Sequence, residues 1–411
     1  MSNNNPSGVN GYGQKNYPSD DVLSAALHQY AKEQLIVEDC LRRLSVEHGL
    51  GLIIKKSKLA QLNKKFNVPN VRNHKPPPDV ATQAILEKVA QDTSQSNGVG
   101  TLKTLLANNR ISLPRQVDLI CSVLRDFAPE GLSRRFPGAN CIRRSALVAI
   151  GPNHQHHADG HEKLNAQGLK MGGVGLNIYG IKDQWSSYLL HLVVVSNNRL
   201  ETTIGQVYLD CVEKHKFIPI TFVYPQGLLM TGVLYAFQNG LCEAYAADIS
   251  QESPLVLQMK SIHNTPIKGL WHWFLQTFGF NIKEEIQSGY ADGIYKPNNP
   301  LHKELFNWLW PQILQIQLDC FVQFWNNYRI RVQKDKPNMS GSTPYNGFVA
   351  PQYPAQDCKI MVDQPVIDAL RGQIAVTRHE AMRWVDEDFA EEALTAFESI
   401  GSPDFRNVQT G

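Results

Sequence analysis

Leu176-Asn-Ile-Tyr-Gly-Ile181 and Tyr188-Leu-Leu-His-Leu-Val-Val-Val195 are two runs of aliphatic, β-branched and aromatic residues separated by a short polar segment. Such runs read as strands, because branched and aromatic side chains pack well on a pleated surface. Between Leu200 and Lys216, Ile204, Val207, Tyr208, Cys211 and Val212 recur at helical spacing, and Ile218-Pro-Ile-Thr-Phe-Val223 reads as a further strand. Gln226 to Gly240 is compatible with a helix. Strands first, then alternating helix and strand, predict a mixed five-stranded sheet with helices on both faces over residues 140–280.

On the N-terminal side the pattern changes. Residues 1–19 are Asn, Gly, Ser and Pro with few aliphatics, and are expected to be disordered. Ser19 and Asp20 then signal a helix start ahead of Val22, Leu23, Ala26, Leu27 and Tyr30. A second helix carries Cys40, Leu41 and Leu44 and stops at Gly49; a third runs from Ser57 to Phe66. Three short helices with a Gly-containing turn before the last predict a helix-turn-helix unit over 20–75. Beyond the Pro76-Pro-Pro78 linker, a second helical unit is expected over 79–138, with Pro114 in a first helical turn behind Ser112. On the C-terminal side, Trp308, Trp310, Leu314, Leu318, Phe321 and Trp325 predict a helical extension within 291–350, and 351–411 reads as an acidic tail with a surface helix near Asp386 to Glu398.

Total charge says little, since 40 Lys and Arg face 38 Asp and Glu in 411 residues, but its distribution is uneven. Residues 1–150 hold 20 basic and 12 acidic side chains, 151–350 hold 15 of each, and 351–411 hold 5 against 11. A basic N-terminal part points to a polyanionic partner. The longest apolar run, Leu189 to Val195, is interrupted by His191 and far short of the roughly 18 residues of a membrane helix. No signal peptide is read at the N-terminus. Seven cysteines without a Cys-x-x-Cys pair argue against a disulfide framework and a zinc ribbon. The expectation is a soluble protein of a reducing compartment.

Two local motifs carry chemistry. Lys55, Lys56, Lys58, Lys64, Lys65, Arg72 and Lys75 form a basic run with no acid inside it. On the third helix of a helix-turn-helix, Lys58, Gln61 and Lys65 would face a DNA groove while the other lysines meet phosphates. His154-Gln-His-His157-Ala-Asp159-Gly-His161 offers four imidazoles. Zinc usually draws its ligands from two separated segments, and no second cluster exists, so a polar loop is expected there. Asp159-Gly160 alone reads as a turn, but within the predicted sheet Asp159 is expected on the first strand.

Longer strings carry a resemblance. Arg143-Arg-Ser-Ala-Leu-Val-Ala-Ile-Gly-Pro-Asn-His154, Ala158-Asp-Gly-His-Glu-Lys-Leu-Asn165, Lys170-Met-Gly-Gly-Val-Gly175, Ser261-Ile-His-Asn-Thr-Pro-Ile-Lys-Gly-Leu-Trp-His-Trp273, Pro300-Leu-His302 and Phe324-Trp-Asn-Asn-Tyr-Arg-Ile-Arg331 resemble the fungal integrase-core proteins, a transposon-related group. The similarity runs from about Asp20 to Pro351. It implies a ribonuclease H-like core over 140–290 behind DNA-binding helical units, a DNA partner, a nuclear location, and Arg143, Arg144, Arg329 and Arg331 as further DNA contacts. A homo-oligomer is compatible with the sequence, and no membrane partner is expected.

The family cuts and joins DNA as a polynucleotidyl transferase, with two Asp and one Glu holding two Mg or Mn ions. Asp159 matches the first carboxylate. The second belongs to a Thr-Asp-x-Gly-x-Glu stretch, which here reads Tyr224-Pro-Gln-Gly-Leu-Leu229, so Pro225 stands at the Asp position. The third belongs to Ile-Glu-Gly-Phe-Trp, which here reads Ile267-Lys-Gly-Leu-Trp271, so Lys268 stands at the Glu position. Three carboxylates would have carried −3; Asp159 with Lys268 carries 0. Pro225 has no side-chain oxygen, and Lys268 offers only donors. An ammonium about 4 Å from a dication is repelled by a few kcal/mol. The resemblance therefore implies a DNA-integration protein that is catalytically degenerate and holds no resident cofactor. Two other readings fit the same residues: an active two-metal strand-transfer enzyme with displaced ligands, or a DNA-binding or scaffolding protein recruited by a host.

Overall fold

The structure is a computed structural model that describes residues 17–48, 54–70, 76–93, 97–109, 111, 113, 118–128, 149–226, 231–248, 254–333 and 338–405. Its centre is a sheet built from β1 (Gln155–His161), β2 (Asn177–Asp183), β3 (Leu189–Val195), β5 (Thr221–Pro225) and β6 (Val256–Met259), in the order β3-β2-β1-β5-β6. β1, β2 and β3 form an antiparallel meander, and β5 and β6 join β1 in parallel. This is the mixed five-stranded, ribonuclease H-like arrangement expected from the sequence. Alternate residues of a strand face opposite sides. Thus Tyr179 and Ile181 join a core on one face, while Ile178 joins a second core on the other.

The first core is closed by α7 (Glu201–His215) and α8 (Thr231–Tyr245), the second by α9 (Thr265–Phe274), α10 (Phe280–Ala291) and the long α11 (Pro300–Asn327). The expected single strand from Ile218 to Val223 is instead divided. Phe217–Ile218 (β4) pairs with Ile360–Met361 (β7) in a separate two-stranded sheet, and Pro219, which lacks a backbone donor, lies between β4 and β5. Residues 351–405 contain β7, α13 (Gln364–Gly372), α14 (Arg378–Met382) and α15 (Glu387–Ser399). Ile360, Ile367 and Ile374 bury themselves in the first core.

The N-terminal helices form two small clusters. Leu23, Leu27 and Tyr30 of α1 (Asp20–Lys32), Leu44 of α2 (Val37–Glu47) and Leu59 and Leu62 of α3 (Lys56–Lys65) share one core. Ser19 caps α1 by position without a side-chain hydrogen bond. The turn containing Gly49 lies outside the described residues, as do Ser112 and Pro114. A second cluster joins α4 (Pro78–Ala90), α5 (Val99–Asn108) and α6 (Asp118–Phe127) around Ile85, Leu102, Leu106, Ile120 and Leu124. The Asn327 carboxamide donates to Asn108 at 3.3 Å, tying α5 to the end of α11. The first cluster is tied to the core by Arg43. Its guanidinium, 4.6 Å from the Tyr30 ring and 4.5 Å from the Tyr345 ring, is shared between α1, α2 and α12 (Pro344–Val349).

Candidate functional site

The parallel pairing of β1 with β5 ends at His157 and Val223. Beyond it, Asp159 and Pro225 lie where the ladder no longer joins the two strands. Strand amides alternate in direction here. Thr221 N–H donates toward β1, to His154 O at 3.0 Å, whereas Phe222 and Gln226 donate toward β6, to Leu255 O and Met259 O. Pro225 is in phase with Thr221, so its missing donor falls on the β1 side past the end of the ladder. Proline therefore removes no sheet hydrogen bond at this position. Crevices beyond the carboxyl ends of parallel strands are where α/β sheets commonly build sites.

α9 closes the crevice. The Asn264 carboxamide, just before it, meets His157 Nδ1 through its oxygen at 2.7 Å and donates to Ala158 O at 2.9 Å; Lys182 Nζ donates to Pro266 O at 2.9 Å. Ile267, Leu270, Trp271 and Phe274 are buried, leaving Lys268 half-buried at the crevice. Gly180 sits opposite Asp159 in the β1–β2 register, and a Cβ there would come within 2.8 Å of the Trp271 ring. The bare backbone is what lets the indole lie beside the carboxylate.

Asp159, Pro225 and Lys268 therefore line one cavity of about 700 Å³, with Lys163, Arg199, Trp271 and His272 among its other walls. Asp159 is 7% exposed. Burial pushes its carboxyl up to about 6, against the pull of the Gly160 N–H, which donates at 2.9 Å, and of the Lys268 ammonium. The Trp271 indole N–H is turned toward the same carboxylate without closing a hydrogen bond. The His161 ring lies tilted against Trp271 with centroids 5.1 Å apart, and burial drives its pKa down to about 4. Arg199 pairs with Glu162 at 3.0 Å on the rim.

Asp159 lies on the first strand, as expected, but the histidine cluster around it is a correction: Gln155–His161 is a largely buried strand, not a polar loop. His156 meets Asn153 Oδ1 at 2.9 Å, and His157 lies between Asn264 and Gln184. Those partners let the His156 and His157 rings be buried, whereas His161 rests against the Trp271 and Phe274 rings. Among the described residues no group of three metal-ligating side chains is found. Neither Pro225 nor Lys268, beside Asp159 in this cavity, offers a lone pair to a divalent ion at neutral pH, and Glu162 on the rim pairs with Arg199. Asp183 offers no rescue, because Asn153 N–H, Ser186 N–H and the Ser186 hydroxyl occupy its carboxylate.

The basic residues fall elsewhere. Lys55, Lys56, Lys58, Gln61, Lys64 and Lys65 are all exposed on or beside α3, opposite the buried Leu59 and Leu62. The acid-free run of the sequence acquires two acids in space: Lys56 pairs with Glu38 and Lys65 with Asp20. Arg329 and Arg331 are exposed on the segment after α11. Arg143 and Arg144 lie outside the described residues. Sequence reasoning misses Asn198, Arg199 and Trp271 as walls of the site. Trp271 belongs to one of the resembling stretches, but Asn198 and Arg199 carry no local signal.

A search of solved structures finds similarity to a chain of the simian T-cell lymphotropic virus intasome in complex with PP2A regulatory subunit B56 gamma. That match has 12% identity, covers 65% of this chain and 74% of that chain, and has a TM-score of 0.33. No family model matches the chain, and no curated protein matches it.

Proposed function

We propose that this chain is an integrase-like, nuclear DNA-binding protein, related to the fungal integrase-core proteins, whose two-metal site is degenerate. One observation carries the reading: residues 159, 225 and 268, far apart in sequence, meet in one crevice at the ends of β1 and β5 and the start of α9. Two-metal strand transfer needs carboxylates that hold ions about 3.5–4 Å apart and clamp the attacking and leaving oxygens. Here one carboxylate faces an ammonium. What remains useful for DNA is charge: the exposed lysines of α3 supply sequence-independent contacts to phosphates.

The test uses the full chain with end-labelled duplex DNA in Mg²⁺ or Mn²⁺. Retarded DNA with neither nicking nor strand joining is the expected result. Metal-dependent cleavage that Asp159→Asn abolishes would overturn the degeneracy, and failure to retard DNA would overturn the binding.

A further inference from the structure

α11 opens with an apolar stripe that the rest of the chain only half covers. Leu301, Leu305 and Trp308 recur at i, i+4 and i+7 and so share one face of the helix. α15 seats on that stripe at Trp308, with the Phe397 ring 5.7 Å from the indole. Leu301 and Leu305, two turns and one turn earlier, remain 54% and 41% exposed, and Leu394 of α15 is 50% exposed. Leu394 shares the outer face of α15 with Glu387, Glu391 and Glu398, at i−7, i−3 and i+4. From Trp384 to Phe405 the chain holds seven acids and no base. Glu387 has only long contacts to His379 at 3.6 Å and Arg383 at 3.8 Å. Asp388, Glu391, Glu392 and Glu398 are exposed and enter no ion pair with a described residue.

A surface of matching character lies near the other end of the same chain. Lys55, Lys58 and Lys64 are exposed on or beside α3 and enter no ion pair with a described residue. Apolar side chains flank them. The Lys58 ammonium stands 5.8 Å from the centre of the Tyr17 ring, Val37 adjoins the Glu38 that pairs with Lys56, and Val22 lies two residues past the Asp20 that pairs with Lys65. Val22 and Val37 are exposed. The two surfaces are opposite in charge and alike in carrying uncovered apolar side chains. Opposite charge steers such surfaces together and fixes their register, while the apolar contacts supply affinity. We propose that the α11–α15 face of one copy docks on the α3 face of a second copy. Leu301, Leu305 and Leu394 meet the Tyr17, Val22 and Val37 side chains, and Glu391 and Glu398 meet Lys58 and Lys64. The contact joins unlike patches, so it closes as a reciprocal dimer or a ring, or grows as a filament. The α3 reading gives the same lysines to phosphates, so duplex DNA and the acidic face compete for one surface.

The test is sedimentation velocity of the full chain without DNA. Oligomers whose share rises with protein concentration are expected at low salt, and they should disperse near 1 M salt, where the screening length falls to about 3 Å. Glu391→Lys with Glu398→Lys, and separately Lys58→Glu with Lys64→Glu, should each leave monomer. All four changes in one chain exchange the signs of the two surfaces and should restore the assembly. Leu301→Ser with Leu305→Ser should weaken association about tenfold with the charges intact. These side chains are exposed, so each variant should keep the wild-type melting temperature. Duplex DNA added to wild type should release monomer. The proposal is overturned if wild type stays monomeric at low salt, if either charge reversal leaves the assembly intact, or if the fourfold variant fails to associate. Duplex retardation with the same preparations separates the two readings. Retarded duplex from a chain that stays monomeric sinks this proposal alone, and an α3-dependent assembly that never retards duplex sinks the DNA reading alone.

Discussion

Replacing Arg43 with methionine removes the group that ties α1 and α2 to the core. The Arg43 and Glu33 side chains are 2% and 0% exposed. The guanidinium donates to Glu33, donates through Nε to Glu47 at 2.8 Å, and lies over the Tyr30 and Tyr345 rings. Methionine fills most of the volume but strands Glu33 as a buried anion, which costs about 3–5 kcal/mol. Losing two cation–π contacts adds roughly 1–2 kcal/mol. Burial already raises the Glu33 carboxyl, and Arg43 opposes that rise, so the variant raises it further. A folded acid with a raised pKa binds more protons than the unfolded chain, so falling pH favours the fold. The deficit of Arg43→Met should therefore be largest near neutral pH and shrink toward pH 5. Adding Glu33→Gln should recover most of the loss, since Gln29 can still donate to the remaining oxygen, as it does at 2.8 Å to Glu33. Urea unfolding by circular dichroism at several pH values measures this, and hydrogen exchange in α1 to α3 reports whether the unit loosens. A loss below about 1 kcal/mol, or one independent of pH, would refute the reasoning.

Three further outcomes are expected. Neutralising Lys56, Lys58, Lys64 and Lys65 together should flatten the dependence of log K on log salt by roughly one unit for each phosphate that is no longer neutralised, measured by fluorescence anisotropy on duplex DNA. Gly180→Ala should cost about 1–3 kcal/mol and shift the tryptophan emission, because the new methyl would meet the Trp271 ring at 2.8 Å and Leu192 Cδ1 at 3.1 Å. Asp183→Asn should destabilise by about 1–3 kcal/mol at neutral pH, since both carboxylate oxygens accept from donors and an amide nitrogen would face one set of them. Burial pushes Asp183 up to about 6 from its ordinary 3.8, so its contribution to stability falls as pH rises between those values; the variant should lose that slope in urea midpoints.

Much of the sheet is legible in local pattern. Tyr188 to Val195 is a β-rich run with His191 alone inside it, and the apolar period of Leu200 to Lys216 is helical, so β3 and α7 follow from the side chains alone. β1 is not legible in that way, because His156, His157, Asp159 and His161 look solvated. They are buried because Asn153, Asn264, Gln184 and the Trp271 ring reach them from elsewhere in the chain. Pairing across such distances leaves no mark in a local window. The same holds for the site. Nothing in spacing places Pro225 or Lys268 beside Asp159; the resemblance aligns them, the parallel adjacency of β1 and β5 brings Pro225 there, and the packing of α9 on β1 brings Lys268. The division at Pro219 is hidden as well, because Ile218 and Ile220 continue an apolar alternation across it, and only the partner strand at Ile360–Met361 separates them.

Calorimetric titration of the full chain with Mg²⁺ and Mn²⁺ tests the proposed degeneracy of the site most directly. The expected result is no tight binding by wild type. Pro225→Asp together with Lys268→Glu should create such binding, since it returns the local charge from 0 to −3 around Asp159. Tight binding of two divalent ions by wild type, lost in Asp159→Ala, would contradict the account.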